Sequence, residues 1–270
     1  MNTQNKTIIK IEDLSIQYLN GEGYIRNISL QLERGEVFGL AGESGSGKSS
    51  ICKAILGLLD KNKAKITGTI DFMENDLTKI SDEERCRING KEVVYIMQNP
   101  MTAFDPCMKI KDHFSMTIRS HLLCSKKDAF YYSREVLKKV GLNDCEKILN
   151  SYPHMLSGGM LQKVMIAMAI LLNPVMMIAD EPTTALDALS QIEVLTLLKE
   201  IMKEYRPAML LVSHDIKVLS DITDDLAVMH EGVIIEKGKA SEVLRNPREE
   251  YTKKLLASNL YNERDKNAVS

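Results

Sequence analysis

The 270-residue chain contains no tryptophan, and aromatic residues make up only 5% of it. Proteins that grip single-stranded nucleic acid need aromatic faces on which bases can stack, so that class is disfavoured. Neither sign of charge is in excess: 35 Lys and Arg stand against 37 Asp and Glu, a formal net charge of -2. The bulk positive charge that draws proteins to nucleic acid is therefore missing, and no nucleic-acid partner is expected. Long apolar runs are missing too. The runs at 164–172 and 175–179 fall short of the roughly 20 residues that a membrane helix needs. The opening MNTQNKTIIKIEDL returns to charged residues too soon for a secretory signal. The five cysteines (Cys52, Cys86, Cys107, Cys124, Cys145) are odd in number, scattered, and never spaced as CxxC. That pattern argues against a disulfide framework or a zinc site and for reduced thiols in a cytosolic compartment. None follows Cys145, so the later part of the chain offers no cysteine ligands to an iron–sulfur cluster. With 44% hydrophobic and 27% charged residues the composition is globular, and the length allows one large α/β domain or two small ones.

What is present is an alternation of strand-like and helix-like segments. Ile8, Ile9 and Ile11 open a strand, and Ile28-Ser29-Leu30-Gln31-Leu32 alternates apolar with polar, as a half-buried strand does. Residues 36–41 form an apolar run ending at Gly42. Beyond it Ile51, Ala54, Ile55 and Leu58 recur at helical spacing. Residues 66–72 and 93–97 read as further strands, and 105–157 as helices of mixed charge. After Gly158 the order is a long helix with an apolar face at Val164, Ala167, Met168 and Leu171, a strand at 175–179, a helix at 188–204 and a strand at 208–212. That alternation predicts parallel strands joined by crossover helices. Residues 227–230 and 233–237 read as a hairpin turning at Glu231-Gly232, and 262–270 as a polar tail that frays. Met155, Met160, Met165, Met168, Met176 and Met177 read as core-filling thioethers rather than metal ligands.

Gly42-Glu43-Ser44-Gly45-Ser46-Gly47-Lys48-Ser49 fits G-x-x-x-x-G-K-[ST] between an apolar strand and a helix, with Ser50 following. Glycines let the backbone curl until successive N–H groups face one anion, and the helix start adds its positive dipole end. Lys48 brings a mobile point charge to the β- and γ-phosphates, and the Ser49 hydroxyl suits Mg²⁺. A nucleotide site is expected. Asp180-Glu181 closes the apolar run 175–179, where two acids are costly unless a cation or chemistry occupies them. Asp180 suits the second-sphere Mg²⁺ position and Glu181 a water attacking the γ-phosphate. Alone, the pair is equally a cap for the segment at Pro182-Thr183-Thr184. Ser157-Gly158-Gly159 at a helix start offers bare N–H groups and a hydroxyl to a phosphate. It is either a simple N-cap or the completing half of another subunit's site.

Taken in order, Gly42 to Ser49, Gln98, Leu156-Ser157-Gly158-Gly159, Asp180-Glu181, Ala185-Leu186-Asp187 and His214 resemble the nucleotide-binding subunits of ATP-binding cassette (ABC) transporters, across nearly the whole chain. Met160 departs from the Gln usual in that family's signature. Gly158-Gly159-Met160-Leu161-Gln162, Ile96-Met97-Gln98-Asn99-Pro100 and Ala103-Phe104-Asp105-Pro106 resemble the dipeptide, oligopeptide and nickel import branch, nearest its nickel-import ATPase. Tyr251-Thr252-Lys253-Lys254-Leu255-Leu256 resembles that branch's Tyr-Thr-x-x-Leu-Leu helix.

The resemblance implies an α/β fold: a phosphate-loop ABC ATPase core with an antiparallel β-subdomain and an inserted α-helical subdomain. It implies one nucleotide-binding domain over 1–270, with the helical subdomain at about 98–172 and C-terminal helices at 240–260. By the same resemblance ATP and Mg²⁺ are the cofactors, and Gln98 touches Mg²⁺ and the attacking water. His214 contacts the γ-phosphate, Asp187 links two sites across a dimer, and Tyr18 stacks on adenine, with Tyr24 competing. Implied partners are a second ATPase subunit forming a heterodimer, two membrane permease subunits, and through them an extracytoplasmic substrate-binding protein. The implied place is peripheral, on the cytoplasmic face of the cell membrane, driving import of nickel or a related metal chelate, or alternatively of peptides. A soluble ATPase of the same superfamily, or a phosphate-loop kinase, is the rival reading. The kinase leaves Ser157, Gly158, Gly159 and His214 without a role.

Overall fold

The computed structural model describes residues 7–19, 21 and 23–267, and of 259–267 the backbone alone. In chain order the elements are β1 (Thr7–Tyr18), β2 (Tyr24–Glu33), β3 (Val37–Ala41), α1 (Lys48–Leu56), β4 (Ala64–Phe72), β5 (Asn75–Asp76), α2 (Asp82–Ile88) and β6 (Val93–Ile96). Then follow α3 (Ile110–His121), α4 (Lys126–Lys139), α5 (Cys145–Asn150), α6 (Gly158–Ile170), β7 (Met176–Asp180) and α7 (Ala188–Tyr205). The rest comprises β8 (Ala208–Ser213), α8 (Ile216–Ile222), β9 (Asp225–His230), β10 (Val233–Lys239), α9 (Ala240–Arg245) and α10 (Glu250–Asn267). These form two compact units, one of Met1–Arg85 with Ala208–Ser270 and one of Cys86–Pro207.

In the first unit β1 runs antiparallel to both β2 and β4, and β5 adds to β4, giving the order β2-β1-β4-β5. A second set of strands has β3 between β8 and β9, parallel to both, with β10 returning antiparallel beside β9. Every residue of β3 (VFGLA) and β8 (AMLLVS) is buried, as unbroken apolar runs must be when a parallel strand is covered on both faces. The expected hairpin turns at Glu231 and Gly232, whose φ values of 45° and 79° are both left-handed, as a two-residue type I′ turn requires.

In the second unit β6 and β7 pair in parallel, Val93 to Ile96 against Met176 to Ala179. Helices α3 to α7 supply the rest. Ser125 starts α4 with a reciprocal cap: its Oγ accepts from the Asp128 amide while Asp128 accepts from the Ser125 amide, each at 3.1 Å. Helix α6 departs from the single apolar face expected of it. Its buried residues include Leu161, Gln162, Val164, Met165, Ile166, Ala167, Ala169 and Ile170, so it is surrounded on nearly all sides, as a core helix is.

Three further expectations change. Met165, Met176 and Met177 are buried, but Met155 is 64% exposed and fills no core. Helix α8 was not foreseen, because seven residues give too few turns for a periodic signal. The tail expected to fray instead continues α10 to Asn267, and residues 268–270 lie outside those described.

Glu36, in the turn before β3, accepts the Glu33 amide at 2.7 Å. Burial pushes its carboxyl up to about 7; the Glu33 hydrogen bond opposes the shift and the neighbouring Asp225 adds to it. Folding thus strengthens proton binding here. The stability Glu36 contributes is complete below its ordinary value of 4.5 and is lost as pH rises through about 7. Glu36→Gln should flatten the fall in urea midpoint between those two values. A fall as steep as the parent's would place the pH dependence elsewhere.

Candidate functional site

The glycine-rich segment leaves β3 at Ala41 and enters α1 at Lys48. Gly42 adopts φ 150°, Gly45 86° and Gly47 104°, and Gly47 is the N-cap of α1. A side chain at Gly42 would collide with the Met229 carbonyl of β9 and come within 2.8 Å of Ser46 Oγ. Glycine is therefore required by space as well as by φ. At Gly45 the added atom would meet nothing within 4 Å, so the crest of the loop faces open space. Glu43, Ser44, Gly45 and Ser49 are exposed, whereas Ser46 and Lys48 are buried. The Lys48 ammonium is only 4% exposed as a residue and donates to the carbonyls of Gly42 (2.8 Å) and Glu43 (2.6 Å) and to Ser46 Oγ (3.3 Å). A buried ammonium needs such partners, and here they belong to the loop itself.

Of the two candidate aromatics, Tyr18 donates its hydroxyl to Ser50 Oγ at 2.8 Å, which ties the end of β1 to the first turn of α1. Tyr24 lies 40% exposed with the Arg26 guanidinium 4.7 Å over its ring, so one of its faces is already engaged. His214 is exposed and follows β8 directly, between Ser213 and the α8 cap Asp215, whose amide donates to Ser213 Oγ at 2.9 Å.

In the second unit the parallel register does the positioning. Ile96 lies opposite Ala179, so the residues two further on, Gln98 and Glu181, emerge side by side. Gln98 Nε2 donates to Glu181 Oε2 at 2.9 Å, and Thr184 Oγ1 donates to the same oxygen at 3.0 Å. Glu181 itself sits at φ 48° without being glycine, a left-handed conformation that costs on the order of 1–3 kcal/mol and concentrates at functional sites. Asp180, 4% exposed, accepts from the Tyr95 hydroxyl at 2.8 Å through Oδ2. Its other oxygen, Oδ1, is buried with no hydrogen-bond partner among the described residues. A carboxylate left half-satisfied in the interior fits a cation or a water of its shell, so this position suits Mg²⁺.

Ser157 caps α6, its Oγ accepting the Met160 amide at 3.2 Å. Gly159 packs so tightly on α7 that a side chain would stand 2.5 Å from Ser190 Oγ, while Gly158 has ordinary room beside Leu186. Asp187 caps α7: it accepts the Ser190 amide at 3.0 Å and the Ser190 hydroxyl at 2.7 Å. Those two bonds, the amide foremost, hold its carboxyl below the usual aspartate range. Ser190 thus joins the starts of α6 and α7. Tyr95, Thr184 and Ser190 were not singled out in the sequence, because their roles depend on pairings that no local pattern carries.

The ABC transporter family matches residues 25–184. The oligopeptide transport ATP-binding protein OppD of Lactococcus lactis subsp. cremoris is 38% identical over 261 residues, covering 95% of this chain and 77% of its own. The dipeptide transport ATP-binding protein DppD of Bacillus subtilis is 38% identical, covering 93% of this chain and 76% of its own. The metal-staphylopine import system ATP-binding protein CntD of Staphylococcus aureus is 38% identical over 93% of each chain. Among solved structures, a dimeric post-hydrolysis state of the ATP-binding cassette MJ0796 bound to ADP and Pi superposes with a TM-score of 0.76 at 26% identity, covering 86% of this chain and 99% of that one.

Removing the Tyr95 hydroxyl takes from the buried Asp180 carboxylate the hydrogen bond that its Oδ2 accepts. Tyr95→Phe should therefore cost about 1–3 kcal/mol of stability in urea titrations of the nucleotide-free protein. An unchanged midpoint would show that Asp180 does not depend on Tyr95.

Proposed function

Because this chain belongs to the ABC transporter family and is an ATPase with that family's α/β fold, we propose that it powers an importer as one of its ATP-hydrolysing subunits. What carries this reading is its likeness, over nearly its whole length, to importer ATPases. Relatives named for oligopeptides and dipeptides and a relative named for a metal–staphylopine complex support a peptide and a metal-chelate cargo equally. Nickel taken up as a chelate falls within the second class. No described helix is long and apolar enough to cross a membrane; in the proposed importer the membrane path belongs to permease components, as the likeness to transport ATP-binding proteins supports. In this reading it docks peripherally on the cytoplasmic face of two permease subunits, which receive cargo from an extracytoplasmic binding protein. A second, different ATPase chain completes the pair.

The proposed chemistry is in-line attack of water on the γ-phosphate. The loop from Gly42 to Ser49, with Ser50, wraps the phosphates, and Lys48 exchanges its loop carbonyls for phosphate oxygens as nucleotide enters. Tyr18 is the residue assigned to the adenine. Its bond to Ser50 places it beside the loop, whereas Tyr24 is engaged by Arg26. Glu181 orients and deprotonates the water, its carboxylate aimed by Gln98 and Thr184, and His214 meets the γ-phosphate. Mg²⁺, held by Ser49, Gln98 and Asp180, would supply positive charge to the β- and γ-phosphate oxygens when bound. Ser157, Gly158 and Gly159 serve the nucleotide of the partner ATPase, and Asp187 communicates between the two sites.

Glu181→Gln keeps the shape and the Thr184 bond but removes the base. It should bind ATP like the parent while turnover falls about 10²-fold or more. Hydrolysis at the parental rate would remove Glu181 from the role of base. Copurification with the permease, and ATPase stimulation by a peptide-loaded or a nickel-loaded binding protein, tests transport and cargo together. Failure to associate with any membrane subunit would favour the soluble ATPase.

A further inference from the structure

Helix α10 reaches the phosphate loop. Its buried residues Thr252 and Leu255 dock it in the first unit, and Glu236 of β10 accepts the backbone amides of Arg248 (2.8 Å) and Glu249 (3.2 Å), fixing where the helix starts. From its first turn the Tyr251 ring stacks on His230, the last residue of β9, with centroids 3.8 Å apart and planes at 28°. The Tyr251 hydroxyl accepts the backbone amide of Glu43 at 3.3 Å. That N–H belongs to the same peptide unit as the Gly42 carbonyl, which accepts from Lys48. One peptide at the entrance of the loop is therefore held at both ends, by Lys48 on its oxygen and by Tyr251 on its nitrogen.

The same hairpin braces the loop elsewhere. The Gly232 amide, beyond His230, donates to the Ser46 carbonyl at 3.2 Å, and the Met229 carbonyl fills the space beside Gly42. Of the two holds on the Gly42–Glu43 peptide, the one from Lys48 is lost when the ammonium turns to phosphate. The Tyr251 hold is independent of that movement. Resting on the phosphate-loop reading, we propose that Tyr251 is a positioning residue for nucleotide binding: its hydroxyl keeps the Gly42–Glu43 peptide oriented after Lys48 has left it, so that the loop amides beyond stay aimed at the phosphates. The helix resembling the branch's own tail thereby sets the affinity of the loop.

The test is Tyr251→Phe in the full chain, which keeps the ring on His230 and removes only the hydroxyl. Calorimetric titration with ADP in the presence of Mg²⁺ should show binding about threefold to tenfold weaker, the worth of one neutral hydrogen bond. KM for ATP should rise by a similar factor with kcat unchanged, as loss of uniform binding requires. The thermal midpoint should stay within about 2 °C of the parent, since packing is retained. Lys48→Ala, titrated alongside, should lose ADP binding. If Lys48→Ala binds normally, the phosphate-loop reading fails and this inference with it. If Lys48→Ala fails to bind while Tyr251→Phe binds like the parent, the loop stands and the role of Tyr251 falls. Weaker binding accompanied by a midpoint drop of several degrees would make Tyr251 a docking residue of α10 and overturn the positioning role.

Discussion

Burying a charge is tolerated only where the chain supplies its partners, and two such charges organise what this protein can do. Lys48 is buried against carbonyls of its own loop, so the loop is shaped around an ammonium before any phosphate arrives. On the proposed reading, exchanging those carbonyls for phosphate oxygens would replace one set of charge-assisted bonds with another, because folding has already met the desolvation of the lysine. Asp180 differs in that folding satisfies one of its oxygens, through Tyr95, and leaves the other bare. The first charge is met on every side by its own loop, whereas the second is met on one oxygen only.

Parallel pairing converts those local facts into geometry. In β6 and β7 the facing of Ile96 and Ala179 is what sends Gln98 and Glu181 out together. A slip of one residue would reverse the faces and separate them. Such a slip would be costly because β7 is buried on both faces, and its side chains would have to repack against spaces shaped for others. The left-handed Glu181 is sustained by the same packing. Its strain is small beside the burial of β7, all of whose residues are interior.

Much of this was legible in the residues, and the reasons differ from place to place. The apolar runs of β3, β7 and β8 are unbroken because both faces are covered, and a doubly covered strand announces itself without periodicity. The Glu231-Gly232 turn was legible because few residue pairs tolerate two left-handed φ values in succession. Helix α6 was misread as one-faced, since a helix packed on all sides has no polar stripe to mark its orientation. Met155 was misplaced because a thioether suits the surface turn before α6 as well as it suits a core. The bonds from Tyr95, Thr184 and Tyr251 were not legible at all. Each depends on a partner brought up by strand register or helix docking, and a tyrosine hydroxyl leaves no local trace of where it will reach.

The surroundings of the phosphate loop show how rigidity and openness are divided. Met229 stands beside Gly42, the Gly232 amide holds Ser46, Tyr18 holds Ser50, and Tyr251 holds the Glu43 amide. All four come from elements other than the loop, and all act on its flanks. The crest at Ser44 and Gly45 is left exposed. An anion-binding loop gains affinity when its amides are oriented beforehand, because the entropy of ordering them has already been lost in folding. Bracing only the flanks achieves that without covering the surface the ligand must reach. On the proposed reading, loop affinity would depend on β1, on the β9–β10 hairpin and on α10 as well as on the eight-residue motif. A matching motif thus points to the chemistry, while the shape in which the loop is held comes from the elements that brace it.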